Sequence, residues 1–124
     1  MAKYSTLTDA DKNRYWETYY GTRDTLRFAI IDLAVAADEA KWSSDSSAIL
    51  AEKLRLESEL ARLQNHSTAV AADDDAIAAP SAADVARVKA LADQVDGLTV
   101  TANTYAKAVD AADEALKTYN KVRG

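Results

Sequence analysis

His66, in the stretch LQNHSTAV, is the single histidine of this chain, and Asp73, Asp74 and Asp75 are its densest acidic run. An imidazole titrating near neutral pH can serve as a general base. An activated nucleophile, however, also needs an oriented partner, and nothing in the neighbouring sequence marks one. Zinc sites draw on several histidines or cysteines, and this chain has one histidine and no cysteine. The metal motif of helical bundles would put a glutamate three residues before the histidine; position 63 is a leucine. His66 is therefore expected to face solvent or to sit at a helix end.

The aspartates offer oxygen ligands of the kind that calcium and magnesium prefer. They lack the alternating acids, central glycine and closing glutamate of an EF-hand loop, so a solvated connector is expected. The three glycines, at 21, 97 and 124, stand too far apart for a phosphate-cradling loop. No catalytic residue, metal ligand or cofactor site is assigned. An enzyme, a cofactor and a small-molecule substrate are not expected.

A second kind of chemistry, recognition of another protein, has better candidates. The stretch RYWETYYGTR puts Tyr15, Trp16, Tyr19 and Tyr20 within six positions, out of nine aromatic residues in the whole chain. On a helix, Tyr15 and Tyr19 fall in line with Leu26 and Ile30, the side of a core. Trp16 and Tyr20 lie roughly 100° to one side, followed at helical spacing by Arg23 and Arg27. Such a row can make cation–π contacts, and tryptophan, tyrosine and arginine most often anchor protein interfaces. Trp16, Tyr20, Arg23 and Arg27 are the candidate interface. Ile31, Val35 and Trp42 continue an apolar flank on the same side, which widens the face for burial in the bundle or against a second chain.

The elements that must position these residues are helices. Twenty-seven alanines with three glycines and one proline favour helix and leave few interruptions. Three helices are expected, over about 8–42, 47–72 and 82–122, within a single domain spanning 1–124. Thr8 caps the first, with Asp9 and Asp11 in its opening turn. Gly21 falls on the far side of that helix and need not end it. Ser81 and Asp84, just after Pro80, read as the start of the third. There Val88, Val95, Ala102, Val109 and Leu116 recur every seven residues, with Leu91, Leu98, Tyr105, Ala112 and Tyr119 offset by three. Because that register runs unbroken through Gly97, one long helix is preferred to two short ones. In the second helix Ile49, Leu56, Leu63 and Val70 repeat the pattern, supported by Leu60, Leu50 and Leu54. The expected fold is all-α: an antiparallel bundle of three long helices with coiled-coil-like heptad packing.

Fifteen basic and twenty acidic residues give a net charge of −5, with no basic stripe for nucleic acid. The excess lies mid-chain, where residues 43–80 hold three basic and seven acidic side chains, and it discourages contact with anionic membranes. The opening residues lack the apolar core of a secretion signal. FAIIDLAVAA, the longest apolar run, is too short to span a bilayer. A cytoplasmic location, or one inside an intracellularly assembled particle, is expected. Function reads as structural: a non-enzymatic subunit that packs through helix–helix contacts, self-associates as a homo-oligomer, and belongs to a viral or other multi-subunit particle. The alternative is a small acidic adaptor or inhibitor that binds another protein through the aromatic and arginine face.

Overall fold

The computed structural model describes residues 1–123. In chain order it contains β1 (Ala2–Lys3), α1 (Asp9–Glu39), α2 (Asp45–Ala71), β2 (Ala76–Ile77), α3 (Ala82–Asp96) and α4 (Ala106–Asn120), with single 3-10 turns at Tyr4–Thr6 and Lys121–Arg123. Local chemistry sets several of these bounds. The Thr8 hydroxyl accepts the Asp11 N–H at 3.1 Å and so caps α1. At the start of α3, Ser81 and Asp84 form a reciprocal capping box, each side chain accepting the other's backbone N–H at 3.1 Å. Between α2 and β2, Asp73 takes a left-handed conformation with φ 60°. Its carboxylate accepts the Ser5 N–H at 2.9 Å, which ties the connector to the first residues of the chain. β1 and β2 pair antiparallel, Ala2 opposite Ile77. The Ala78 N–H reaches the Val122 carbonyl at 2.9 Å and brings the end of α4 to the same place.

The bundle has four helices, not three. The helix expected over 82–122 stops at Asp96, and residues 97–105 fold the chain back so that α4 runs antiparallel to α3. Two pairs fix that direction: Lys121 with Asp84 at 3.2 Å, and Glu114 with Arg87 at 3.6 Å. The break has a local cause. GLTVTANTY is rich in β-branched and hydroxyl residues, whose side chains compete with helical hydrogen bonds. Thr104 Oγ1 accepts the Thr101 N–H at 2.9 Å, and Thr101 Oγ1 accepts the Asn103 N–H at 3.2 Å. Val100 is buried and holds the loop down. The sevenfold rows survive on either side because each shorter helix still buries one face. Ala102, Leu98 and Tyr105, the members that fall in the loop, are only partly buried.

All three other helices pack against α1, and α3 also packs on α4. α3 runs alongside α1 in the same direction, Lys89 near Glu17 (3.6 Å) and Val95 beside Phe28. Arg55 of α2 grips Asp113 of α4 with two hydrogen bonds of 2.9 and 3.1 Å. The core holds Tyr15, Tyr19 and Leu26 of the expected α1 line, while Ile30 is only partly buried against it; Leu33, Ala37 and Ala40 continue the buried side of α1, and the α2 row Ile49, Leu56, Leu63 and Val70 is buried too. Leu50 and Leu54 do not join it; they are 44% and 67% exposed. Fully buried Ala29 and Ala36 of α1, with Ala108, Ala112 and Ala115 of α4, keep the interior small enough for close helix contact.

Gly21 does not end α1, but its side of the helix is not free. It is buried against α3, and a Cβ built there would stand 2.6 Å from Val88 Cγ2. Around it Thr18, Thr22 and Thr25 are fully buried. Each hydroxyl donates to a carbonyl one turn back, at 2.8, 2.8 and 2.7 Å, so none needs a partner from α3.

Candidate functional site

The four candidate interface residues occupy one flank of α1, at unequal depth. Trp16 is half-buried and packs on the core. Its indole N–H donates to the Tyr4 hydroxyl at 2.7 Å, and its ring meets Tyr15 edge-on at 5.1 Å between centroids. Tyr20 stacks on Trp16 at 5.9 Å yet stays 46% exposed. The Arg23 guanidinium lies over the Tyr20 ring, 4.7 Å from its centroid, and pairs with Asp24 at 3.1 Å. Arg27 points outward. The row therefore divides: Trp16 belongs to an aromatic cluster with Tyr4, Tyr15 and Tyr19, Tyr20 and Arg27 face solvent, and Arg23 lies half-buried between them. The N-terminal turn that carries Tyr4 makes the division, because it covers Trp16 and stops short of Tyr20.

The apolar flank beyond the row is open. Ile31 is 60% exposed, Val35 52% and Trp42 92%. Trp42 stands in the turn after α1, three residues past the last helical position. Large apolar side chains this exposed, aligned along one helix, are the usual mark of a contact surface. Beside them a cleft lined by Phe28, Ile31, Asp32, Val95 and Asp96 separates α1 from α3. Burial, and secondarily the neighbouring Asp96, pushes the Asp32 carboxyl up. Among the described residues no group of three or more His, Cys, Asp or Glu side chains is placed to hold a metal ion. No helix among them is long and apolar enough to cross a membrane. No protein-family model, curated protein or solved structure matches the chain.

His66 is neither solvent-facing nor a plain helix end. It lies on α2 at 8% exposure, and its ring joins a chain of polar groups between helices. Nδ1 is 2.7 Å from the Tyr119 hydroxyl, which is 2.9 Å from the Tyr15 hydroxyl. Nε2 is 3.4 Å from an Asp75 carboxylate oxygen, so Asp75, like Asp73 with the Ser5 N–H, is a specific partner rather than plain solvated connector. With Asp75 ionised and close to Nε2, the neutral ring carries its proton there, on the side of the carboxylate. Nδ1 then accepts from Tyr119, whose oxygen accepts from Tyr15. Every group finds its complement in one direction. The sequence carried no sign of this arrangement, since Tyr15 and Tyr119 are 104 positions apart and His66 and Tyr119 are 53 apart. A carboxylate, an imidazole and a hydroxyl in series resemble a nucleophile relay. Yet Tyr119 and Tyr15 are sealed from solvent, and burial raises both hydroxyls above the ordinary phenol range. The chain of groups acts as a strut joining α1, α2, α4 and the connector.

Protonating His66 would break this order, because Nδ1 would become a donor facing a donor. Burial, and then the nearby Arg123 charge, lower the pKa of His66 despite the opposing pull of Asp75. The unfolded chain titrates at the ordinary imidazole value of about 6.5. Below that pH the unfolded state binds the proton more readily than the folded state, so stability falls as pH drops through about 6.5 toward the lower folded value. The melting temperature is expected to decline between pH 7.5 and 5.5. His66→Gln, which can still accept from Tyr119 and donate to Asp75, should flatten that decline. An equal slope in both proteins would place the titration elsewhere.

Proposed function

We propose that this chain is a non-enzymatic assembly protein that packs through helix–helix contacts, associates with copies of itself, and serves as a subunit of a multi-subunit particle, viral or otherwise. The observation that carries this reading is the open flank of α1, where Tyr20, Ile31, Val35 and the adjoining Trp42 are 46%, 60%, 52% and 92% exposed. The core of the bundle is complete without them. Burying such residues is worth roughly 25 cal/mol per Å² of apolar surface, a gain available only to a second protein surface. The flank is one helix wide and runs from Tyr20 to the turn just past the end of α1, a shape that suits another helix better than a compact ligand.

Absolute mass in solution, followed by light scattering over a wide concentration range, tests the reading. The protein is expected to grow heavier with concentration. The variant Ile31→Gln, Val35→Gln, Trp42→Gln should remain a monomer throughout, with a melting temperature near that of the parent when both are dilute. A parent that stays monomeric at every concentration would exclude self-association.

The second reading, a small acidic adaptor or inhibitor, is supported by the exposed Tyr20 ring with the half-buried Arg23 guanidinium 4.7 Å from its centroid. It would use Tyr20, Arg23 and Arg27, with Trp16 as the support beneath them. It predicts a monomer that loses a partner when those three residues are changed.

A further inference from the structure

We infer that two copies of this chain associate through the open flank of α1, antiparallel, about a two-fold axis beside Ile31. This rests on the assembly reading above and adds its geometry.

The spacing of the exposed residues comes first. Tyr20, Ile31 and Trp42 are eleven positions apart. Eleven residues make almost three whole turns of α-helix, so Tyr20 and Ile31 lie in line along α1, about 16 Å apart. After Glu39 the chain keeps coiling, with the Lys41 N–H bonded to the Asp38 carbonyl and the Ser43 N–H to the Ala40 carbonyl. These bonds span three residues, a tighter coil than the α-helix, so Trp42 stands just beyond the end of the line, at its far end from Tyr20. Turning a second copy end over end about Ile31 exchanges the positions of Tyr20 and Trp42, so each aromatic meets an aromatic. A contact of this kind is closed and self-complementary.

Charge selects the antiparallel arrangement over the parallel one. Arg23 and Arg27 lie on one side of Ile31, Asp38 and Glu39 on the other. Among the described residues Arg23 is paired with the adjacent Asp24, whereas Arg27, Asp38 and Glu39 have no ion-pair partner. In the end-over-end copy the segment holding Arg23, Asp24 and Arg27, net +1, faces the segment holding Asp38, Glu39 and Lys41, net −1, with Asp24 opposite Asp38 as the one like-charged contact. A parallel copy would set Arg27 against Arg27 and Asp38 against Asp38, which is repulsive. Ala34, exposed beside Ile31, leaves room for close approach. Trp42, almost wholly exposed, can hide on the order of 200 Å² and the already half-covered Tyr20 about half as much, so with Ile31 and Val35 two copies together reach roughly the 1,000 Å² at which specific association begins. The dimer is therefore a weak one.

The chain contains no cysteine, so single cysteines can report which positions meet. Asp24 and Asp38 lie seven positions on either side of Ile31, and replacing them leaves the apolar anchors in place. Under mild oxidation at a concentration where light scattering gives a dimer, Ile31→Cys is expected to link to itself. Asp24→Cys and Asp38→Cys should each stay unlinked alone and link when mixed. Self-linking of each of the latter two, with none in the mixture, would show a parallel pair. Linking through Leu54→Cys on α2 in place of Ile31→Cys would move the contact to another helix. Either result overturns this geometry and leaves the assembly reading standing. A protein monomeric at every concentration removes both.

Discussion

Replacing Tyr119 by phenylalanine is expected to lower the unfolding free energy by roughly 3 kcal/mol, since a buried polar group stripped of its partner costs about 1–3 kcal/mol and two groups are affected. The Tyr119 oxygen stands 2.7 Å from His66 Nδ1 and 2.9 Å from the Tyr15 hydroxyl, and phenylalanine preserves the ring while removing both contacts. Water cannot substitute readily, because Tyr119 and Tyr15 are fully buried and His66 is 8% exposed. Chemical denaturation at pH 7.5 measures the loss. Changing Tyr15 to phenylalanine as well should add less than the single Tyr15 substitution costs alone, because the group it would have orphaned is already gone. Additive losses would mean that the two hydroxyls do not share a bond. For a domain whose whole stability is about 5–15 kcal/mol, one oxygen atom then accounts for a large share.

Gly21→Ala should also destabilise, against the ordinary expectation for a helix. Alanine in a helix interior is better than glycine by about 1 kcal/mol, so the substitution would raise stability if only α1 mattered. The added methyl would stand 2.6 Å from Val88 Cγ2, 3.0 Å from Val88 Cβ and 3.2 Å from the Val88 backbone carbon. A rotamer change can move the first atom but not the last, so α3 itself must shift. Overpacking of this kind typically costs 1–3 kcal/mol, which outweighs the gain in propensity. A net loss of about 1–2 kcal/mol is expected, or a melting temperature lower by roughly 5 °C. Gly97→Ala is the matched control. Its nearest neighbour would be the Asp93 carbonyl oxygen at 3.5 Å, an ordinary contact, so that variant should be neutral or slightly more stable. If Gly21→Ala also proved stabilising, α3 would not be seated on this glycine.

The same two glycines show what could be read from the sequence. Features settled within a few residues were legible: the Thr8 cap, the Ser81–Asp84 box, the α1 stripe and the α2 row all stand where their spacing put them. The turn after Gly97 was missed because a sevenfold apolar pattern records which residues are buried, not whether the chain between them doubles back. The signal that could have found it was the threonine and asparagine content of 97–105, which favours local hydrogen bonds over helix. The role of Gly21 depends on Val88, which is 67 positions away in sequence, and nothing local announces it. The candidate row was legible as a row but not in depth: Trp16 and Tyr20 share one helical flank, and only the placement of Tyr4 separates them. His66 was misjudged for a similar reason. A histidine in the last turn and a half of a helix looks exposed until Tyr119 and Asp75 arrive from other parts of the chain.

The position of α1 against all three other helices has a consequence for how the protein comes apart. In a ring of equal helices any one can swing out while the rest hold. Here α2 and the α3–α4 hairpin share a common wall, and detaching either uncovers one side of α1, whereas opening α1 uncovers everything. Opening of the 97–105 loop, or of the residues following Glu39, would leave these helix contacts in place. The amide hydrogens in the middle of α1 are expected to exchange with water only when the entire chain unfolds, which native-state hydrogen exchange would measure. The helix whose outer side lies open to solvent is thus also the one least able to move, a rigid strip rather than a yielding one.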